Sequence, residues 1–178
     1  MLEAAKSFLA LHADIYGGAS GPDNLMREAL CSLARGGAGC AKNSDEIIEG
    51  LVIIGGVRIF DINLSWQDDG WNVLVEASYH NNYKMVGKLI QLGANPFQLL
   101  PSYFQQHSVF HRIISSSDIV NYNHDVVIND LIDIFVSKGI KVDGSQFTLP
   151  SGKQCPSPLS VAKHPKVKKH LRSLGATE

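Results

Sequence analysis

The stretch from Asp69 to Phe97 sets two short apolar runs between fixed punctuation, and few chain geometries satisfy it. Asp69-Gly70 is a turn signal. Val73, Leu74 and Ala77 make a first apolar segment, and Asn81-Asn82 is a polar break. Met85, Val86, Leu89, Ile90 and Leu92 make a second segment at helical spacing. Gly93-Ala94-Asn95-Pro96 then stops the chain, because glycine takes the left-handed position past a helix end and proline cannot continue one. The spacing predicts two short helices joined by a tight turn. Helices shorter than about 12–15 residues are marginal on their own in water, so such a pair requires neighbours against which to bury its stripes.

Candidate neighbours lie on both sides. Leu2–Ile15 carries Leu2, Ala5, Phe8, Leu9, His12 and Ala13 at helical spacing, and Tyr16–Pro22 breaks it. Asp23 or Asn24 suits the cap of a helix over Leu25–Arg35, with Gly36–Gly39 as a connection. Ser44 caps another, with Ile47, Ile48, Leu51 and Val52 buried and Gly55-Gly56 as its end. Asp61–Gly70 alternates apolar and polar residues and predicts an extended arm with a hairpin tip. Pro96–Gln106 is a second, irregular arm. A helix is expected from Ser108 to about Ile114, a polar insertion over Ser115–Asp125, and a helix over Val126–Ser137 before Gly139. A last pair spans Ser157–Lys163 and Pro165–Leu174. The glycines expected to close second helices, Gly55, Gly93, Gly139 and Gly175, recur at one repeat of roughly 33 residues lengthened by insertions. Leu74, Phe110 and Leu159 recur in the same way in the first turns of first helices.

Composition narrows the class. With 178 residues, 44% hydrophobic and 19% charged, the chain holds enough apolar material for one domain or a short repeat array. Its formal net charge of −1 exerts no overall pull toward nucleic acid or anionic membrane. Cys31, Cys40 and Cys155 are odd in number and far apart, which fits a reducing compartment better than a disulfide scaffold. No apolar run approaches the ~18 residues of a membrane span. The start, Met-Leu-Glu-Ala-Ala-Lys, lacks the basic and long apolar segments of a secretory signal. A cytoplasmic, monomeric protein with no membrane insertion is expected.

At these residues the sequence resembles the ankyrin repeat, whose signature reads Asp-x-x-Gly-x-Thr-Pro-Leu-His-x-Ala, then a polar turn, Ile-Val-x-x-Leu-Leu and Gly-Ala-Asp. Asp69 to Ala77 matches the first part, with Asn72 for Thr and valines, Val73 and Val75, for Pro and His. Met85-Val86, Leu89-Ile90 and Gly93-Ala94-Asn95-Pro96 match the second. Ser108-Val109-Phe110-His111 stands for Thr-Pro-Leu-His, and Ser157-Pro158-Leu159-Ser160-Val161-Ala162 is the best match to the first helix. Asp61-Ile62-Asn63 looks like the opening of an inter-repeat hairpin. The resemblance implies an all-α fold, a solenoid of stacked helix pairs with hairpin-like arms, about four repeats plus an N-terminal helix. Residues 1–22 are then a capping helix and linker, and 23–178 the repeat domain.

What the resemblance implies about function is protein binding without catalysis or cofactor. Ankyrin arrays present the hairpin tips and the exposed side of the first helices to a partner protein. By position those residues are Trp66, Gln67, Asp68 and Trp71 at one tip, Glu76, Tyr79 and His80 on the helix behind it, and Tyr103 and Phe104 on the next arm. Exposed Trp and Tyr are common binding anchors. Degenerate motifs and compact size also resemble stand-alone ankyrin proteins, including those that intracellular bacteria deliver into host cells. The alternative is a targeting or regulatory subunit of an enzyme whose activity resides elsewhere. The insertion over Ser115–Asp125 reads equally as a contact loop or a tolerated one. The basic run Lys163–Arg172 reads as the solubilising outer face of a last repeat rather than a nucleic-acid site. No Cys or His lies in a catalytic motif, Gly36–Gly39 lacks the Lys-Ser/Thr of a phosphate loop, and no metal-ligand spacing occurs.

Overall fold

The computed structural model describes Cys31, Ala34 and residues 53–54, 57–58, 61–65, 70–102, 107–116, 124–149 and 151–177. Six helices are described end to end: α1 (Val73–Tyr79), α2 (Tyr83–Gln91), α3 (Val109–Ser115), α4 (His124–Ser137), α5 (Pro158–Val161) and α6 (Pro165–Ser173). Cys31 and Ala34 are themselves helical and buried, at two positions of the expected Leu25–Arg35 helix. The fold is helical, as expected. The Leu2–Ile15 helix and the Ser44 helix start lie outside the described residues.

One expectation is overturned. Ile53–Ile54 is not the last turn of a helix ending at Gly55-Gly56; it is a strand, β1, pairing antiparallel with β2, Val57–Arg58. Ile54 opposes Val57, which leaves two residues between the strands. Gly-Gly between β-branched residues is the sequence signal for a two-residue hairpin, and here it outweighs the helical periodicity upstream. The insertion is also shorter than Ser115–Asp125, because Ser115 closes α3 while His124 and Asp125 open α4.

Each first helix begins on a side-chain cap. Asn72 Oδ1 accepts from the Val75 amide at 3.0 Å, the Ser108 hydroxyl from His111 N–H at 3.2 Å, and the Ser157 hydroxyl from Ser160 N–H at 3.2 Å. Each satisfies one of the amides that a helix start leaves without a partner. Pro158 occupies the first turn of α5, where its missing N–H costs nothing.

Each second helix ends the same way. Gly93, Gly139 and Gly175 have φ of 100°, 95° and 95°, and the next residue's amide reaches back to the carbonyl of Leu89, Phe135 and Leu171. These are Schellman closures, with buried Ala94, Ile140 and Ala176 following the glycines. A side-chain-stapled turn comes next: Asn95 Oδ1 accepts from Phe97 N–H at 3.0 Å and Asp143 Oδ1 from Ser145 N–H at 2.9 Å. Asp61 Oδ1 does the same for Asn63 N–H at 2.9 Å.

Three helix pairs therefore stand side by side. α1 packs on α3 and α3 on α5 in one row, while α2 packs on α4 and α4 on α6 in the other. α1 is buried at every position from Val73 to Ser78, Glu76 and Ser78 included, so burial runs all round it rather than along one stripe. α2 and α4 keep stripes, Met85, Val86, Leu89 and Ile90, and Ile128, Leu131, Ile132 and Phe135. Phe110, Phe135 and Phe147 meet at the centre, with ring centroids 5.3 and 6.3 Å from Phe110. Full burial of each such side chain contributes roughly 1.5–3 kcal/mol.

The arms are hairpin-like: Leu99 bridges Ser108, and Thr148 bridges Gln154, both antiparallel. Adjacent arms are stitched together by Asn63, whose Oδ1 accepts from Asn95 N–H at 2.7 Å and whose Nδ2 donates to the Gly93 carbonyl at 3.3 Å.

Candidate interaction surface

α1 emerges from burial only at its C-terminal end. Tyr79 is 47% exposed, and His80 follows it at the surface. Below them sits Glu76, only 5% exposed, whose Oε2 accepts from Trp71 Nε1 at 2.6 Å and whose Oε1 lies 3.5 Å from His80 Nε2. Trp71 is half-buried against the core, 5.7 Å by ring centroid from Tyr79, and Tyr79 lies edge-on to His80 at 5.1 Å. Trp71, Glu76, Tyr79 and His80 are thus brought into one connected cluster. Two of them differ from their expected role. Glu76 is a buried carboxylate that anchors its neighbours rather than an exposed contact, and Trp71 packs inward with its N–H committed to it. A buried carboxylate requires such donors. Trp66, Gln67, Asp68, Tyr103 and Phe104 lie outside the described residues.

The cluster continues onto α3. Arg112 Nη2 donates to the Tyr79 carbonyl at 3.2 Å and reaches Asn81 Oδ1 at 3.4 Å. Asn81 takes the left-handed conformation, φ 54°, which Asn tolerates better than most residues, and so turns the chain between α1 and α2. Arg112 thereby ties the C-terminal end of one first helix to the next, a role its place one residue after His111 did not announce.

His111 is 1% exposed. Its Nε2 lies 2.9 Å from the Pro156 carbonyl, which can only accept, so Nε2 carries the proton. Nδ1, 2.7 Å from Ser108 Oγ, then accepts from that hydroxyl. Burial holds the imidazole below its ordinary pKa and keeps it neutral, with the Pro156 bond opposing and His107 assisting. The ring thus links the second pair to the arm of the third, edge-on to Phe147 at 5.1 Å. Cys31 and Cys155 are both buried, and burial pushes the Cys155 thiol up, away from the reactive thiolate. Cys40 lies outside the described residues.

Between α3 and α5 a groove of about 570 Å³ opens, lined among others by His107, His111, Pro156, Val161, Lys163 and Lys168. The basic C-terminal run is therefore divided rather than uniformly outward. Lys166 Nζ pairs with Asp125 at 2.7 Å and His170 with Asp133 at 2.8 Å, both toward α4, whereas Lys163 and Lys168 border the groove. The Lys166 hydrogen bond holds the Asp125 carboxyl below its usual range. Sequence reasoning took this run as a solubilising face; the signal for the groove was the position of Lys163 directly after the buried Ala162.

Among the described residues no group of three His, Cys, Asp or Glu is placed to hold a metal ion, and no helix is long and apolar enough to cross a membrane. Set against protein-family models the chain matches none, and set against curated proteins it again finds no match.

Proposed function

We propose that the chain is an ankyrin-type, non-catalytic interaction module that binds a partner protein along its row of first helices. The repeat resemblance is supported by three units with the same cap, the same glycine closure and, between units, the same stapled turn. Ser108 and His111 stand where that family carries Thr and His, and they hydrogen-bond to each other and across to the next arm. A non-catalytic reading is supported by how these groups are used. The Ser108 hydroxyl is fully buried and capping, and His111 has spent Nε2 on a carbonyl, so neither is left to act as nucleophile or base.

One observation carries the binding reading: Tyr79 is an exposed aromatic held on the end of an otherwise buried helix, braced by Trp71, Glu76 and His80. A preorganised aromatic on a rigid element loses little entropy on binding and is a common anchor. Affinity capture with immobilised wild-type protein and with Tyr79→Ala/His80→Ala tests it. Loss of a captured partner at unchanged circular dichroism is expected; undiminished capture by the double variant rejects this surface. Trp71→Ala is the wrong probe, since removing a side chain packed on the core perturbs the fold as well.

A further inference from the structure

The groove between α3 and α5 has a charge distribution that a solubilising face does not need. On the C-terminal run, Lys166 is matched by Asp125, and His170 Nε2 lies 2.8 Å from Asp133 Oδ1. Lys163 and Lys168 border the groove without an ion pair among the described residues, and no carboxylate among those residues lines it. The other polar groups there cannot supply that charge. Ser115 and Ser160 spend their hydroxyl protons on the carbonyls of Arg112 and Ser157, at 3.2 and 2.7 Å. His111 spends its proton on Pro156. Val161, Ala162 and Pro156 supply apolar wall, which suits aliphatic stems. With a volume of about 570 Å³ the groove has room for side chains of a peptide laid along it.

We propose that this groove binds an acidic peptide segment of the partner protein, with side-chain carboxylates meeting Lys163 and Lys168 and their methylene stems lying on Val161 and Pro156. The proposal rests on the interaction reading above and adds to it the chemistry of the partner. A peptide fits better than a nucleic acid: the two lysines that border the groove, without an ion pair among the described residues, give a local, not an extended, positive field on a chain of net charge −1.

Fluorescence polarisation of a fluorescein-labelled poly-glutamate peptide against the full chain tests this, with poly-serine and a single-stranded DNA oligonucleotide as comparison probes. Poly-glutamate is expected to bind, and Lys163→Glu/Lys168→Glu to weaken it at least about tenfold. Lys84→Glu/Lys88→Glu, the same charge change on α2 in the other row, is expected to leave affinity within about twofold. Amide shifts of the wild-type protein titrated with poly-glutamate read the site independently of any variant, and are expected at His107, His111 and residues 160–168. Equal loss in both double variants, shifts elsewhere, or DNA bound in preference to poly-glutamate each overturn the proposal. Absence of poly-glutamate binding while a partner is still lost on Tyr79→Ala/His80→Ala removes the acidic ligand and leaves the interaction reading standing. Undiminished capture by that variant, with poly-glutamate still mapped to the groove, rejects the Tyr79 surface and leaves the acidic ligand standing.

Discussion

Replacing Ser108 with Ala removes two hydrogen bonds held by one oxygen. The first is the cap, in which the hydroxyl accepts from His111 N–H at 3.2 Å; losing an N-cap costs about 0.5–2 kcal/mol. The second is the bond to His111 Nδ1 at 2.7 Å. Its loss leaves a buried acceptor unsatisfied, at about 1–3 kcal/mol. Because one atom serves both, the losses overlap, and the sum is expected at about 2–4 kcal/mol, a large share of the roughly 5–15 kcal/mol that holds a typical domain. The fold supplies its own control. Ser157 caps α5 through the same bond, to Ser160 N–H at 3.2 Å, but has no histidine three residues on. Ser157→Ala should cost only the cap, about 1 kcal/mol. Urea unfolding followed by circular dichroism measures both, and with m of about 2 kcal/mol/M the Ser108→Ala midpoint should fall by about 1–2 M. The difference between the two variants reads the hydroxyl–imidazole bond. Should Ser108→Ala prove no more costly than Ser157→Ala, the assignment of Nδ1 as a buried acceptor fails.

His111 also sets a pH dependence. Its folded pKa lies below the ordinary 6.5, so the unfolded chain takes up a proton that the folded chain resists. Its contribution is full above pH 6.5 and is lost as pH falls below 6.5 toward the folded value. Melting temperature should therefore drop on acidification through this window. His111→Gln, less stable at neutral pH, should drop less; parallel curves would reject the buried neutral ring. Gly144 and Gly152 have φ of 75° and 79°, but a Cβ at Gly144 would lie 2.6 Å from Pro158 Cδ whereas at Gly152 it meets nothing within 4 Å. Gly152→Ala should cost only the backbone strain, about 1–2 kcal/mol, and Gly144→Ala distinctly more, because the α5 start must shift. Equal midpoints in urea would count against the close approach.

Signals that act over three or four residues carried through from sequence to structure. Ser108 and Ser157 start helices because a short polar side chain before an apolar run has few better uses. Asn72 does the same in the place of the repeat's Thr, though as a cap it emerged only in the structure. Gly93, Gly139 and Gly175 close helices because other residues resist positive φ. Features decided by the third dimension were not legible. Glu76 sits on the same helix as Tyr79, and nothing local says that one is buried under Trp71 and the other exposed. The lysines of the C-terminal run alternate between an aspartate on α4 and the groove because of how α6 lies against its neighbours. At Ile53–Ile54 two local signals competed, and the Gly-Gly hairpin prevailed over the helical period.

Asn63 reaches from one arm to the next and no further, and the helix rows repeat that limit: the principal contacts of α1 and α2 beyond their own pair are with α3 and α4, and those of α5 and α6 are with α3 and α4 as well. Stability in such a stack is a sum of unit and nearest-neighbour terms. The central pair consequently works as a keystone. Among the described helices, damage at α6, which buries only Val167 and Leu171, disturbs one neighbouring pair, whereas damage at Phe110, His111 or Phe135 parts the pairs on either side of α3 and α4. A ligand seated between α3 and α5 would clamp the seam where that parting begins.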